Sequence, residues 1–363
     1  MKVLHILSEL NPSGGESMLY AAGPLLKDFD ISGEILSTGN QVGPYAGQLA
    51  SAGYTIHHIA FKKSPWFFWK VFKLLNGNNY DVIHLHTEQA NFWYGILTLL
   101  TAKRCIRTIH STFDFTGFLC WRRKWQRLLL DLLGITHISI SQSVQDIEYK
   151  HYSLQTPVIQ NWYNSLRFQL TTPQQRAQAR ADLKLASDSF VLLTIGNCSP
   201  IKNHTALIKA LAENNQHNWV YLHIGIEKDS TERDLSAELG VAERIRFYGL
   251  QTDILPFLQA ADLFVMPSTH EGFGVSAVEA IATGLPALLT NVPGLADFKS
   301  VFQGLFYCEP NPESIASALT GIIALNQKQL LQQCAKNQTI AEQLFGVQRG
   351  FSSYVDFYKK RHP

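Results

Sequence analysis

Leu263 to Ala280 reads LFVMPSTHEGFGVSAVEA, and the order of residue types in it decides the fold. LFVM is a short, wholly apolar run, the composition of a strand covered on both faces of a sheet. Pro267 and Ser268 end it, Gly272 and Gly274 allow a turn, and the residues from Val275 resume with helical spacing. A strand, a glycine turn and a helix in that order expose backbone N–H groups at a helix N-terminus. There the missing acceptors and the helix dipole favour an anion such as a diphosphate. Glu271 falls on the loop and Glu279 about one turn into the helix, so both are expected to face one crevice. A carboxylate offers paired acceptor sites to sugar hydroxyls. Taken singly, each of the two reads better as a solvated acid.

The same alternation of short Val, Ile and Leu runs with helical stretches extends in both directions, which predicts βαβ units and a mostly parallel sheet. In the second half the strand candidates are Phe190 to Gly196, Val220 to Ile224, Ile245 to Tyr248, Leu263 to Met266 and Pro286 to Thr290. The first half offers Val3 to Ser8, Ile31 to Ser37, Thr55 to Ile59, Val82 to His86, Cys105 to His110 and Ile135 to Ile140. Each half is expected to be a doubly wound, Rossmann-like α/β domain. The division follows composition: residues 1–161 for the first domain, 162–188 for a polar linker and lead-in helix, and 189–345 for the second domain. Residues 346–363, aromatic and basic from Phe351 to His362, are expected to pack back on the first domain. Ligands of open parallel sheets bind beyond the carboxyl ends of the strands, so the sites are expected on opposite walls of a cleft.

Bulk properties agree with two soluble domains, since 363 residues exceed what one core usually organises. A net charge of +2 argues against a nucleic-acid-binding surface. No segment reaches the roughly 18 apolar residues of a membrane span. The start, MKVLHILSEL, reads as a strand rather than a signal-peptide core, which points to the cytoplasm. Cys105, Cys120, Cys198, Cys308 and Cys334 are scattered and form no CxxC pair, so reduced thiols are expected, with neither a disulfide framework nor a zinc site.

The run Pro267 to Ala280, with ATGLP at Ala282 to Pro286, resembles the signature of retaining glycosyltransferases of family 4. The resemblance covers most of the C-terminal half and, more weakly, the N-terminal half. It includes Gly249 to Asp262 upstream and TNVPGLAD, Thr290 to Asp297, downstream. In the latter the family carries two glycines and a glutamate where this chain has Pro293, Gly294 and Asp297. The resemblance implies the GT-B fold, two Rossmann-like domains facing a central cleft. It also implies metal-independent, cofactor-free transfer of a hexosyl group from a nucleotide-diphosphate sugar to an acceptor hydroxyl, with retention, in cell-surface polysaccharide or glycolipid synthesis. By analogy Glu279 holds the ribose hydroxyls and Glu271 contacts the sugar. Gly272, Phe273, Gly274, Val275, Ser276 and Gly294 then line the sugar and diphosphate.

A second motif, GNCSPIKNH from Gly196 to His204, follows the strand FVLLTI. A lysine at the start of a helix, Lys202, is electrostatically misplaced unless an anion lies nearby, although a flexible surface lysine tolerates the mismatch for less than about 1 kcal/mol. The family pairs this lysine with an arginine where the chain has Asn197, leaving Arg233 or His204 as candidate replacements. Gly14 and Gly15, in NPSGGE, resemble the family's glycine loop facing the donor phosphates and the acceptor. His110, ending CIRTIH, matches a family histidine placed against the donor sugar; the alternative is a hydrogen-bonded structural histidine. His84 and His86 alternate onto one sheet face. No third ligand follows at a suitable spacing, so no metal site is expected there. VIQNWYN, Val158 to Asn164, resembles the family's interdomain VIxNG pattern with Trp162 in the glycine's place, which suggests a changed hinge backbone.

Two stretches combine bases with aromatics: FKKSPWFFWKVFK, Phe61 to Lys73, and WRRKWQRLLLDLL, Trp121 to Leu133. Both suit an anionic membrane surface that would present a lipid-linked acceptor. The alternative is a solvated helix face with a buried apolar side. The expected partners are a nucleotide-sugar donor and a sugar or lipid-linked acceptor. The rival readings are a sugar-nucleotide epimerase of the same fold and an inactive nucleotide-sugar-binding protein.

Overall fold

The computed structural model describes residues 1–112, 115–214 and 217–360. The chain forms two compact units, Met1–Asn164 with the segment from Phe345 onward, and Ser165–Leu344.

The first unit runs β1 (Lys2–Leu7), α1 (Gly14–Ala22), β2 (Ser32–Ser37), α2 (Ala46–Ser51), β3 (Thr55–His58), α3 (Pro65–Asn76), β4 (Val82–Leu85), α4 (Asn91–Leu100), β5 (Arg104–Ile109), α5 (Gly117–Leu132), β6 (Thr136–Ser139) and α6 (Gln142–Tyr152). The second runs α7 (Pro173–Asp182), β7 (Phe190–Ile195), α8 (His204–Glu213), β8 (Trp219–Ile224), α9 (Thr231–Glu238), β9 (Ile245–Phe247), α10 (Leu255–Ala260), β10 (Leu263–Met266), α11 (Val275–Ala282), β11 (Ala287–Thr290), β12 (Leu305–Cys308), α12 (Pro312–Ile323), α13 (Gln327–Cys334) and α14 (Asn337–Phe345). The last helix, α15 (Val347–Lys359), belongs to the first unit.

Both sheets are six-stranded and parallel. The first has the order β3-β2-β1-β4-β5-β6 and the second, from its other edge, β9-β8-β7-β10-β11-β12. The two orders are the same when each unit is counted from its own first strand, the doubly wound arrangement whose order reverses beside that strand. Every stretch read as a strand forms one, to within a residue at either end. β12 was not foreseen: LFYC is a half-exposed edge strand paired only with β11 and lacks the continuous apolar run of the central strands.

The polar 162–188 stretch is split between the units. Trp162 is buried in the first, its indole N–H donating to the Met18 carbonyl at 2.8 Å. Gly350 on α15 makes room for it, since a Cβ there would lie 2.3 Å from the ring. The tryptophan is therefore a core residue matched by a helical glycine. Further along, α7 is clamped to the second unit: Arg176 and Arg180 pair with the Asp262 carboxylate at 2.5 and 3.0 Å, and Asp262 also accepts from the Val191 amide. α15 lays Phe351, Tyr354, Val355 and Tyr358 into the core of the first unit. Tyr358 bonds His84 at 2.7 Å and Tyr354 bonds Thr108 at 2.8 Å. Arg361 and His362 lie outside the described residues.

Candidate functional site

In the second unit, the loop after β10 and the start of α11 bring the acidic residues to the carboxyl edge of the sheet. Gly274 begins the helix at φ 85°, a left-handed conformation that favours glycine. Gly294 at φ 83° sits where a Cβ would come within 2.6 Å of the Glu271 carbonyl oxygen, so its lack of a side chain lets the loop after β11 close on the loop carrying Glu271. That packing accounts for this glycine without a phosphate. Phe273 is a buried core ring, edge-on to Phe298 at 5.4 Å, Val275 is buried, and the Ser276 hydroxyl points to the Ile195 carbonyl at 3.5 Å.

Lys202 approaches from the loop between β7 and α8, its chain folded across Gly196. Its ammonium contacts a Glu271 carboxylate oxygen at 2.6 Å, and the same oxygen accepts from the Ser268 hydroxyl at 2.8 Å. The mismatch of a lysine beside a helix start is thus already offset by a carboxylate of the fold. Glu279 is different. Its side chain is buried, no hydrogen bond reaches its carboxyl from the described residues, and burial pushes its pKa up to about 8, opposed in part by Arg167. At neutral pH the group is mostly protonated in this environment.

Neither candidate replacement for the missing arginine provides a free cation. Arg233 is held in a fork by Glu227 at 2.6 and 3.0 Å and lies over the Phe247 ring. His204 is buried, which keeps it neutral by lowering its pKa well below the ordinary value. Asn197 is engaged within the fold, its side-chain oxygen accepting from the Ile226 amide at 2.8 Å.

In the first unit the carboxyl edge is lined by histidines. His110 Nε2 lies 2.9 Å from His86 Nδ1, and His86 Nε2 lies 2.9 Å from His5 Nδ1. Burial lowers the His110 pKa to about 4, with Arg107 adding to the effect, and that of His5 to about 3. A chain of neutral imidazoles has one proton per link, so the tautomers are coupled. If His110 donates to His86, its buried and unpartnered Nδ1 is an acceptor; if it accepts, Nδ1 is a donor. Gly15 packs against this ring, where a Cβ would lie 3.6 Å from it. The next residue, Glu16, is buried, bonded by Ser13 and raised to about pKa 7 by burial. Its signal was its adjacency to Gly14 and Gly15. The expectation that His84 and His86 lack a third partner is corrected: β1 pairs with β4 so that His5 stands opposite His84, a register no spacing within one strand reveals.

With this geometry in view, comparison with known proteins decides the family. The family model described as Glycosyltransferase Family 4 matches residues 41–165, and the model described as Glycosyl transferases group 1 matches residues 175–340. The chain belongs to glycosyltransferase family 4. It is 26% identical over 286 residues to the UDP-Gal:alpha-D-GlcNAc-diphosphoundecaprenol alpha-1,3-galactosyltransferase of Escherichia coli, covering 74% of this chain and 72% of that protein. A lipopolysaccharide core biosynthesis glycosyltransferase of Rhizobium meliloti, LpsE, is 36% identical over 151 residues, 40% of this chain and 43% of its own. Among solved structures, Anabaena HepE in complex with UDP and glucose superposes with a TM-score of 0.84 at 21% identity, covering 99% of this chain and 100% of that one. That likeness shows the GT-B fold.

This glycosyltransferase also carries an inverted helix. On α5 two arginines turn inward: Arg127 bonds Glu148 at 2.9 Å and Glu88 at 3.2 Å, while Arg123 lies 3.8 Å from Glu88. Arg107 on β5 completes the cluster with Glu88 at 2.5 Å. Leu130 enters the core, but Phe118 is 73%, Trp121 56%, Trp125 57% and Leu132 83% exposed. α3 and α5 flank α4, and Trp66 and Trp69 of α3 and Trp93 of α4 are also exposed. Phe67, grouped with the surface aromatics by the sequence pattern, is a core residue. No helix among the described residues is long and apolar enough to cross a membrane.

Proposed function

We propose that this glycosyltransferase moves a hexosyl group from a nucleoside-diphosphate sugar to an acceptor hydroxyl, with retention and without a metal in the reaction, in the synthesis of a cell-surface glycolipid or polysaccharide. The carrying observation is Glu279, a buried carboxyl to which no described residue hydrogen-bonds. The paired hydroxyls of a ribose can donate to both of its oxygens and favour the ionised form. Donor entry then splits the Lys202–Glu271 pair, Lys202 turning to the diphosphate and Glu271 accepting from sugar hydroxyls. Asn197, Gly196 and the backbone of Gly272 to Ser276 border the same ligand. From the first unit, His110, Gly14 and Gly15 are assigned to the sugar and phosphates by family likeness.

In the reaction the C1–oxygen bond to the diphosphate breaks with its electron pair going to the phosphate oxygen. The acceptor oxygen bonds C1 on the same face, and its proton leaves with the diphosphate. Lys202 stabilises the charge that develops, the kind of preorganised electrostatic help that usually dominates such sites. His110, neutral in its buried setting, orients hydroxyls rather than supplying charge.

A lipid-linked acceptor is favoured by the outward apolar face of α3, α4 and α5, and by the relative whose name specifies a diphosphoundecaprenol acceptor. The protein would then sit peripherally on the inner face of the cytoplasmic membrane. The test is turnover with a panel of labelled nucleotide-sugars, with membranes or soluble sugars as acceptor and with EDTA present. Label passing into lipid extract supports the proposal. Interconversion of the free sugar nucleotide would instead mark an epimerase, and absence of donor binding across the panel would overturn the donor assignment.

A further inference from the structure

Behind Lys202 the second unit gathers a thiol and two imidazoles that the reaction does not use. Cys198 lies on the loop after β7, His204 is the first residue of α8 and His223 belongs to β8. All three are buried, at 3%, 2% and 0% exposure. One ligand atom from each lies within 4.8 Å of the others. Cys198 Sγ is 3.5 Å from His223 Nε2. The imidazole rings meet edge to face at 4.6 Å, and the Nδ1 atoms of both are buried with no hydrogen-bond partner. Buried polar atoms are normally paired, so each histidine carries nitrogen capacity that the fold leaves unused.

We infer that Cys198, His204 and His223 form a buried zinc site. A thiolate with imidazoles selects zinc over magnesium or calcium. The histidine group of the first unit is a weaker candidate. There His84 is bonded to Tyr358 and Thr108, and His86 is bonded on both sides by His5 and His110, so those nitrogens are already committed. Zinc at the Cys198 site would tie the loop from Gly196 to Asn203, and with it Lys202, to β8. With the metal on the unpartnered Nδ1 of His223, its Nε2–H keeps its bond to the Gly196 carbonyl at 3.1 Å and orients the ring. The inference is independent of the donor and acceptor assigned above.

The test uses tag-free, full-length protein stripped with a chelator and retitrated with zinc against a chromophoric competitor, then with cobalt. The expected result is a single tightly held zinc per chain, and a cobalt form showing both tetrahedral d–d bands and a thiolate-to-cobalt charge-transfer band. Cys198→Ser should abolish that band and weaken zinc binding at least about 100-fold, the upper range for losing even an outer-shell partner. The cobalt spectrum of the unmutated protein decides the matter should the variant fail to fold. No charge-transfer band, or a folded Cys198→Ser protein that binds zinc as tightly, would overturn the site, the latter placing the metal elsewhere.

Discussion

The two units share one strand order yet arrange their buried polar groups differently. In the first they form linked clusters: His5, His86 and His110 bond one another, leaving His110 Nδ1 without a partner, and Glu88 is enclosed by Arg107, Arg123 and Arg127. In the second, Glu279 stays buried with no partner among the described residues, and one of its neighbours in the motif, Glu271, holds Lys202 in a pair. The doubly wound fold therefore fixes where the loops emerge and not what they do. A carboxylate already enclosed by guanidinium groups has its acceptors taken, whereas a carboxyl with no side-chain partner has acceptors left for a ligand with hydroxyl donors.

The sharpest way to break this contrast is to remove the cation of the second unit. Lys202→Ala should lower kcat by about 100- to 1,000-fold, as expected when one preorganised group facing a developing oxyanion is lost. Lys202→Arg should recover part of it. Steady-state kinetics on the donor found by the panel give the readout, and a kcat within a few-fold of the unmutated protein would show that the pair with Glu271 is only structural.

Glu279 sharpens the contrast further because its raised pKa has a sign. The folded carboxyl titrates near 8 against an ordinary value of 4.5, so the folded state holds the extra proton between these values. Stability of the unliganded protein should therefore fall as pH rises through that window, and Glu279→Gln should flatten the slope. Donor binding runs the other way. Hydroxyls donate best to the ionised carboxylate, so donor affinity should rise as pH approaches about 8, by at most about tenfold per unit, with proton release. Calorimetry in buffers of different ionisation enthalpy measures both affinity and protons. At pH 8 Glu279→Ala should weaken the donor by about 10- to 100-fold for each charge-assisted bond lost, at about 1.5 to 3 kcal/mol apiece. Donor affinity independent of both pH and this substitution would remove Glu279 from the ribose.

Much of the fold was legible because buried parallel strands are written as continuous apolar runs, and the motif around Glu271 placed the acidic loop within its strand and helix. What escaped depends on register and packing. His5 meets His84 only through the pairing of β1 with β4, and Cys198 meets His223 only because β7 and β8 are neighbours. Spacing rules for metal ligands describe single loops, and so they missed both clusters. Trp162 looked like a hinge change but is answered by Gly350, far along the chain. Asn197 looked like a lost charge, yet it anchors the Ile226 amide.

The smallest expected effect concerns the outer face of the first unit, and the structure changes which residues should be tested. Arg123 and Lys124 are engaged, the one near Glu88 and the other donating to Ser153 at 2.7 Å, so replacing them would disturb the fold as well as the surface. Arg122 is exposed beside Trp121, which stands between Phe118 at 5.6 Å and Trp125 at 6.2 Å. The exposed Lys62, Lys63 and Lys70 flank Trp66 and Trp69. Aromatic rings at headgroup depth and bases near anionic lipid act together, each base contributing about 1 kcal/mol. Arg122→Ser should thus weaken binding to anionic vesicles about fivefold, and adding Trp121→Ser and Trp125→Ser should release the protein, with salt mimicking the loss of the bases. Donor binding, whose residues of the second unit are untouched, should be preserved in every variant. Vesicle flotation and calorimetry read the two separately. If the unmutated protein ignores anionic vesicles, the acceptor is soluble and the outward face of α5 has another use; if flotation persists in the triple variant, the membrane is held by α3 instead.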